Sequence, residues 1–531
     1  MKKTLALLTA TSMILAGLAG CGQTGTDAPP QGQGAAAGGA APAVTAPADT
    51  AAQGRDTLVI AMNADIVSMD PQLRRDVPSG RLKHMVFETL VRIDENGDIL
   101  PVIASDWEII DDTTIHFTIP SGIRFHNGDE LTIDDILFSF YRGMDAPQTG
   151  IFLAPIDVLN SRAIDANTLE LNLHHPFGAI FSVLADTGAA IVNKRHVQEV
   201  GDDEFASNPV GTGPFVFGDW VPGDRVTLTR FEDFHGTPPR INTLVFRVIT
   251  EATNRSIELE TGNVDIALDI APAEVSRIEN HPDLVMERGF STSVTYMAMN
   301  NSREPFNDVR VRQAITLALD LPAIVGAVFE GAGDVGRGPM PASLPGFNNN
   351  IQPAQQNVER ARELLAEAGF PDGFSTAILT SDHQQRLDFS EIAQNQLRAI
   401  GIEVDVNVLE WGAFLDAIFA GEHDMTVLGF SFGPNPASGL ESLFSSSSFG
   451  PDGNISWFAN DRVDYLIDRA RTEMNYNARM DMIREIQEII NEEAPWVFIW
   501  QGENLNGTTN ALRGFRNAPN GFYRFMDMYF E

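Results

Sequence analysis

The sequence predicts an α/β protein. Short runs rich in β-branched residues alternate along the chain with amphipathic segments that carry their own helix caps. Hydrophobic residues make up 43% of the chain and charged residues 20%, the proportions of a folded globular protein rather than a fibrous or disordered one. At 531 residues there is chain for several domain-sized units.

The elements follow in order. Residues 57–62 (Thr57-Leu58-Val59-Ile60-Ala61-Met62) read as a strand entering the core, and residues 114–119 and 168–173 alternate apolar with polar as half-buried strands do. Residues 225–231, 243–250, 293–299 and 404–409 are strands by the same signals. Residues 132–141 and 323–330 read as helices. Residues 357–369 form a helix with Asn357 as N-cap and Gly369 just past its end. Ile392, Leu397 and Ile400 give one apolar face to a helix closed by Gly401, and Met480, Ile483, Ile486, Ile489 and Ile490 mark another that stops before Pro495.

Charge and cysteine usage narrow the function. Lys+Arg total 36 and Asp+Glu 72, a formal charge of −36, which repels phosphate backbones and argues against nucleic-acid binding. The single cysteine, Cys21, excludes disulfide scaffolds and cysteine-based zinc sites. Lys2 and Lys3, an apolar run to Leu18 and the box Leu18-Ala19-Gly20-Cys21 have the layout of a secretory leader over residues 1–20. The box resembles the bacterial lipoprotein cleavage site, which implies lipid attachment at Cys21. Residues 21–55 are mostly Gly, Ala, Pro, Thr and Gln, a composition that predicts a flexible tether.

A longer resemblance begins at residue 56. Ser68-Met69-Asp70-Pro71, Phe87-Glu88-Thr89-Leu90, Phe125-His126-Asn127-Gly128-Asp129, Asn208-Pro209-Val210-Gly211-Thr212-Gly213-Pro214-Phe215, Met299-Asn300-Asn301, Val309-Arg310-Val311-Arg312-Gln313-Ala314 and Ala494-Pro495-Trp496 occur in order. Together they resemble the family 5 extracellular solute-binding proteins, the peptide/nickel class that feeds ABC importers, over residues 56–531. The resemblance implies a two-lobe, periplasmic-binding-protein-like (type II) clam with an extra inserted subdomain. One lobe would be discontinuous (56–102, 207–305 and 506–531), with the subdomain over 103–206 and the second lobe over 306–505. The chain would cross near Asn300-Asn301 and again near residues 501–506.

The resemblance also implies where a ligand would sit. Arg75 and Val77 follow the Asp70-Pro71 motif in a loop that lines the cleft in relatives, and an arginine there suits a carboxylate or phosphate. Tyr296 and Asn300 lie on and after the strand entering the hinge, and Asn300 suits either the ligand or the crossing backbone. Trp411 would wall the pocket. The run Phe430, Ser431, Phe432, Gly433 and Asn435 stands where peptide-binding relatives show Gly-Trp-x-x-Asp, whose Asp grips the ligand's α-amino group. Gly433 takes that Asp position. The carboxylate-binding arginine of dipeptide-binding relatives has no match near residues 380–385, and Arg386 lies further on. Residues 440–464 look most like the glutathione-binding branch.

The implied function is capture of short peptides, glutathione-like ones among them, outside the cytoplasmic membrane by a lipid-anchored monomer that docks on ABC permease subunits. No catalysis and no cofactor are expected. The alternatives within the class are a nickel chelate or an oligosaccharide. Outside it stand a ligand-free sensor or adhesin and a secreted serine hydrolase, since Gly429-Phe430-Ser431-Phe432-Gly433 fits G-x-S-x-G. Pro434 and Pro436 disfavour the helix that the nucleophile elbow requires. Gly331-Ala332-Gly333-Asp334-Val335-Gly336 fits G-x-G-x-x-G but follows a helical segment, so it reads as a glycine loop. His174 and His175 are sequence neighbours pointing to opposite strand faces, a poor metal pair; no resident metal is expected.

Overall fold

The computed structural model describes residues 55–73, 76–94, 97–146, 149–433 and 435–531. Cys21, the leader and tether, and Arg75 lie outside the described residues.

An 11-stranded mixed sheet runs through the protein. Two long antiparallel strands, Leu284–Met299 and Trp496–Thr509, form its middle. On one side the sheet continues through Met425–Ser431, Ser375–Ser381 and Glu403–Leu409. On the other it continues through Ile266–Ala267, Thr57–Met62, Thr243–Val248, Arg225–Arg230 and Phe215–Val221. The pairing of the two long strands slips between Phe290 and Val294, so the ladder is broken where it passes from one half of the sheet to the other. That break falls ahead of Asn300. Beside it, Glu503 accepts hydrogen bonds from Arg288 (2.6 Å) and from the Gly333 N–H (3.0 Å).

The first half of the sheet is built as the alternation predicts. Residues 57–62 form the expected strand, paired in parallel with Thr243–Val248 in full register. Leu58, Ile60, Leu244 and Phe246 are fully buried in a core with Phe215, Val226 and Leu228. In the second half, alternate residues feed two cores. Met297 and Met299 enter one, covered by the helices Val309–Ala318, Leu321–Val328, Val358–Glu367 and Gln384–Leu397. Tyr296 and Ala298 enter the other, covered by Trp411–Phe419, Pro436–Phe444, Asp461–Thr472 and Tyr476–Glu493. Asn357 caps its helix by accepting from the Arg360 N–H, and the stripe Met480, Ile483, Ile486 and Ile490 is buried.

A smaller body has its own sheet, Asp106–Asp111, Thr114–Thr118, Thr168–Asn172 and Arg162–Ala163, and its own core around Phe117, Phe125 and Phe140. Two recognisable motifs fasten it. Asp70, fully buried, is gripped by Arg142 of the helix Ile133–Asp145, which also bonds Gln72 and Asp202. Gly211 and Gly213 run so close to the chain at Met85 and Val86 that a β-carbon at Gly211 would lie 2.0 Å from the Val86 carbonyl oxygen. The same body meets the large sheet's second half at Gly178, whose N–H donates to the Arg471 carbonyl (2.7 Å) and whose carbonyl accepts from Arg479.

The glycine run 331–336 is a close-packed loop. A β-carbon at Gly333 would lie 2.2 Å from Trp500 Nε1, and Asp334–Val335 pairs with the strand Trp496–Thr509.

Candidate functional site

Three strands of the second half, Glu403–Leu409, Ser375–Ser381 and Met425–Ser431, are parallel neighbours. Their carboxyl ends therefore lie along one edge of the sheet. In open α/β sheets that edge is where ligands bind, because the loops leaving it diverge and their side chains reach into the gap. Here the three exits are Ser381 leading to Arg386, Glu410 leading to Trp411, and Ser431 leading to Asn435. The edge faces the crossing strands: Ser431 Oγ lies 2.9 Å from Ser293 Oγ, one position from Val294 at the register break.

Each loop is set by local chemistry. Glu410 caps the helix Trp411–Phe419, accepting from the Gly412 N–H at 2.9 Å, which turns Trp411 outward at 43% exposure. Asn435 caps the helix Pro436–Phe444 through the Ala437 N–H and also bonds Ser438 Oγ. Gly433 is exposed, and a β-carbon there would meet nothing within 4 Å. Phe430 and Phe432 meet edge to face, ring centres 5.1 Å apart. Phe432 is buried at 4%, with Gly439 pressed against its ring.

Arg386 completes the edge. It is half-buried in the first turns of the helix Gln384–Leu397, and its guanidinium lies over the Trp411 ring at 5.0 Å. Its Nη1 donates to Ser381 Oγ at 3.0 Å, and no carboxylate among the described residues pairs with it. Burial pulls its pKa down, because the cation is partly stripped of water without a counter-charge. Beneath the edge, Tyr296 is 1% exposed and stacks face to face on Trp496, ring centres 3.4 Å apart. Burial drives the Tyr296 phenol's pKa far up, and the nearby Arg386 charge opposes that shift.

The structure thus gathers Trp411, Phe430, Ser431, Gly433 and Asn435 on one edge, with Phe432 and Tyr296 as its buried floor. Val77 opens the helix Val77–Val86 in the other half of the sheet and is 46% exposed. Of the two roles open to Asn300, its contacts are those of the backbone role. Asn300 follows Met299, which pairs with Met425 at the opposite end of the strand from Ser431, about 20 Å away at about 3.4 Å per residue. It is fully buried, and its amide is spent on the Gly421 and His423 carbonyls and on Ser302. Asn300 therefore serves the backbone.

The reason given against a nucleophile elbow is corrected. Pro436 does not block the helix, because it opens it at the first position, where a missing N–H costs nothing, and Pro434 lies outside the described residues. What fails is the serine itself. Ser431 ends the strand instead of occupying the turn, and its hydroxyl partner is Ser293 rather than a histidine. Sequence reasoning named Arg386 and Trp496 but gave neither a place in the site. Arg386 belongs to no motif, and its role depends on Trp411, brought alongside by the strand pairing. A cavity of about 320 Å³ lined by Gln313, Leu321, Arg337, Arg360 and Trp496 lies in the second half, and of the residues named above at the edge and its floor only Trp496 lines it. Among the described residues no cluster of His, Cys, Asp or Glu could hold a metal ion.

Comparison with known proteins agrees with this fold. The family "Bacterial extracellular solute-binding proteins, family 5 Middle" matches residues 98–451. The chain belongs to this family of solute-binding proteins, which carry substrates and do not transform them. It is 27% identical to heme-binding protein A of Haemophilus influenzae over 83% of this chain and 86% of that protein. It is 26% identical to the dipeptide-binding protein of Escherichia coli K12 (82% and 86%) and 25% identical to that strain's glutathione-binding protein GsiB (88% and 94%). Among solved structures, the periplasmic binding protein DppA of Helicobacter pylori in complex with the peptide STSA superposes with a TM-score of 0.67 at 28% identity, covering 90% of this chain and 98% of that one.

Proposed function

We propose that this protein is the extracytoplasmic substrate-binding subunit of an ABC importer for short peptides, glutathione-like peptides among them. It captures the solute between the two halves of the sheet and delivers it to membrane permease subunits as a monomer, held near the membrane by lipid at Cys21. The single observation that carries the reading is the edge formed by three parallel strand ends, where Trp411, Phe430, Ser431 and Gly433 stand facing the crossing strands. The domain boundaries belong to the same proposal, with residues 103–206 as the inserted subdomain and the broken ladder at Phe290 and Val294 as the point of flexure. Closure would expel water from the edge and strengthen each polar contact to the ligand.

The test is a thermal-shift panel on protein beginning at Gly22, unfolded and refolded to strip carried-over solute. The panel holds di- and tripeptides, reduced and oxidised glutathione, haemin, oligosaccharides and nickel with histidine. A ligand at 100 times its dissociation constant stabilises the fold by about 2.7 kcal/mol. A shift with peptides or glutathione supports the reading. A shift confined to a sugar, haemin or the nickel complex overturns the substrate class.

A further inference from the structure

We propose that the protein carries a second binding site, separate from the strand-end edge: the cavity of about 320 Å³ beside the strand Trp496–Thr509 takes a small organic anion, a carboxylate on a compact apolar body, anchored by Arg337. The inference goes beyond the peptide-binding reading and stands or falls without it.

The cavity exists because one stretch of the sheet is left uncovered. The short strand Asp334–Val335 pairs with Gln501 and Trp500, and the Gly336 N–H then donates to the Ile499 carbonyl at 3.2 Å. The chain leaves the sheet there. Among the described residues, Trp496 and Phe498 therefore have a strand partner on one side only, at Ala298 and Tyr296. On the open side stand the helices Val309–Ala318 and Val358–Glu367. Gln313 and Leu317 on the first, and Arg360 and Leu364 on the second, lie four positions apart, so each pair shares the helix face that lines the gap. The volume falls in the range of small-molecule pockets.

The lining selects an anion. The chain has 72 acidic residues against 36 basic ones, yet the described lining holds two arginines and no Asp or Glu. Arg360 is partly spent, since its Nη1 donates to Glu363 and Glu367, both at 2.9 Å. Arg337 makes no hydrogen bond among the described residues, and its ion-pair partner Asp334 stands 3.6 Å off. Its side chain is 32% exposed, within reach of a solute, and a guanidinium offers a carboxylate two N–H groups at once.

The rest of the wall fits an apolar body. Leu317, Leu321, Leu364 and Phe498 supply hydrocarbon surface. Trp496 is 1% exposed, and its Nε1–H has no hydrogen-bond partner among the described residues. Buried donors are nearly always satisfied, so an unspent one in a cavity wall suits an acceptor on the guest.

The experiment follows the six indole Nε1–Hε1 NMR resonances of protein beginning at Gly22. Replacing the other tryptophans by Phe one at a time assigns Trp496 by elimination and leaves the buried ring in place. The probes are phenylacetate, benzoate and 3-methylbutanoate, with phenylacetamide and benzylamine as neutral and cationic counterparts. A saturable shift of the Trp496 resonance is expected with at least one acid, with the amide and the amine weaker by about tenfold or more. Arg337→Gln should weaken the acid by about tenfold or more, and Arg337→Lys should restore part of the affinity. Trp411→Ala, at the strand-end edge, should leave it within about twofold. Loss with Trp411→Ala but not with Arg337→Gln places the acid on the edge and overturns the second site. Equal binding of the amide, or no saturable shift with any of the three acids, overturns it as well. Circular dichroism and the melting temperature of each variant establish that it is folded.

Discussion

Arg386 and Trp411 stand in the first turns of different helices, 25 positions apart, and meet because the strands preceding them are parallel neighbours in register from Ser375 with Glu403 to Ser381 with Leu409. The pair is made by the sheet, and its first consequence concerns Trp411. Trp411→Ala removes the ring that holds the guanidinium while deleting little buried surface, since the indole is 43% exposed. The fold should lose about 1 kcal/mol or less in urea titrations. Ligand affinity should fall by about 3- to 30-fold, the range of a cation–π contact of about 0.5–2 kcal/mol. Trp411→Phe should recover part of it.

Gly433 offers the reciprocal experiment. Nothing lies within 4 Å of a β-carbon at this position, and its backbone is not left-handed. Gly433→Asp should therefore fold with stability within about 0.5 kcal/mol of the parent. It places a carboxylate where peptide-binding relatives carry one by resemblance. Calorimetry should show preference moving toward peptides with a free α-amine, by about tenfold for one charge-assisted contact. An unchanged ratio of free to acetylated peptide would show that position 433 does not face the ligand.

Asp70 is a structural matter. It is fully buried, accepts from the Gln72 and Leu73 N–H groups, and takes the Arg142 guanidinium that ties the smaller body to the large sheet. Asp70→Ala leaves that arginine with the largely exposed Asp202 and Gln72 as partners. Removing one member of a buried ion pair costs about 3–5 kcal/mol. Urea denaturation should show a loss of that size, with ligand affinity at low denaturant little changed.

His126 predicts a pH dependence. The ring donates from Nε2 to the Gly213 carbonyl at 2.9 Å, receives the Gly211 N–H at Nδ1, and packs edge-on against Phe231. Burial pushes its pKa down to about 4, partly opposed by the Gly213 carbonyl. The unfolded chain binds the proton first, so stability is complete above about pH 6.5 and declines as pH falls toward 4. The slope is at most about 1.4 kcal/mol per pH unit for this group. Half-buried His84 and buried His423, also lowered to about 4, act in the same direction. In denaturant titrations between pH 7.5 and 4.5, His126→Gln should flatten the slope by one such contribution.

The sequence displayed what local chemistry controls. Asn357 announced its helix because an N-cap is a three-residue interaction. The strands 57–62 and 404–409 were visible because alternation is local too. The long central strands were seen only in part. Residues 284–292 interrupt their apolar pattern with Glu287, Arg288 and Gly289, and 496–509 with Gln501 to Asn504, because each strand passes through two environments and a break in its ladder. Asn300 stayed open between ligand and backbone because its distance from the loop at Ser431 depends on strand register, which no motif encodes. Arg386 was named without a role for the same reason, its partner Trp411 following the neighbouring strand.

The central claim is that this edge holds a small acidic peptide. The most direct measurement is mass spectrometry of what the protein itself retains: protein beginning at Gly22, purified without denaturation, desalted, then released in acid, beside an Arg386→Gln preparation. The account predicts a peptide-class compound with at least one free carboxylate, stoichiometric with the parent protein and depleted from the variant. A retained sugar, haem or metal chelate, present equally in both preparations, would contradict it.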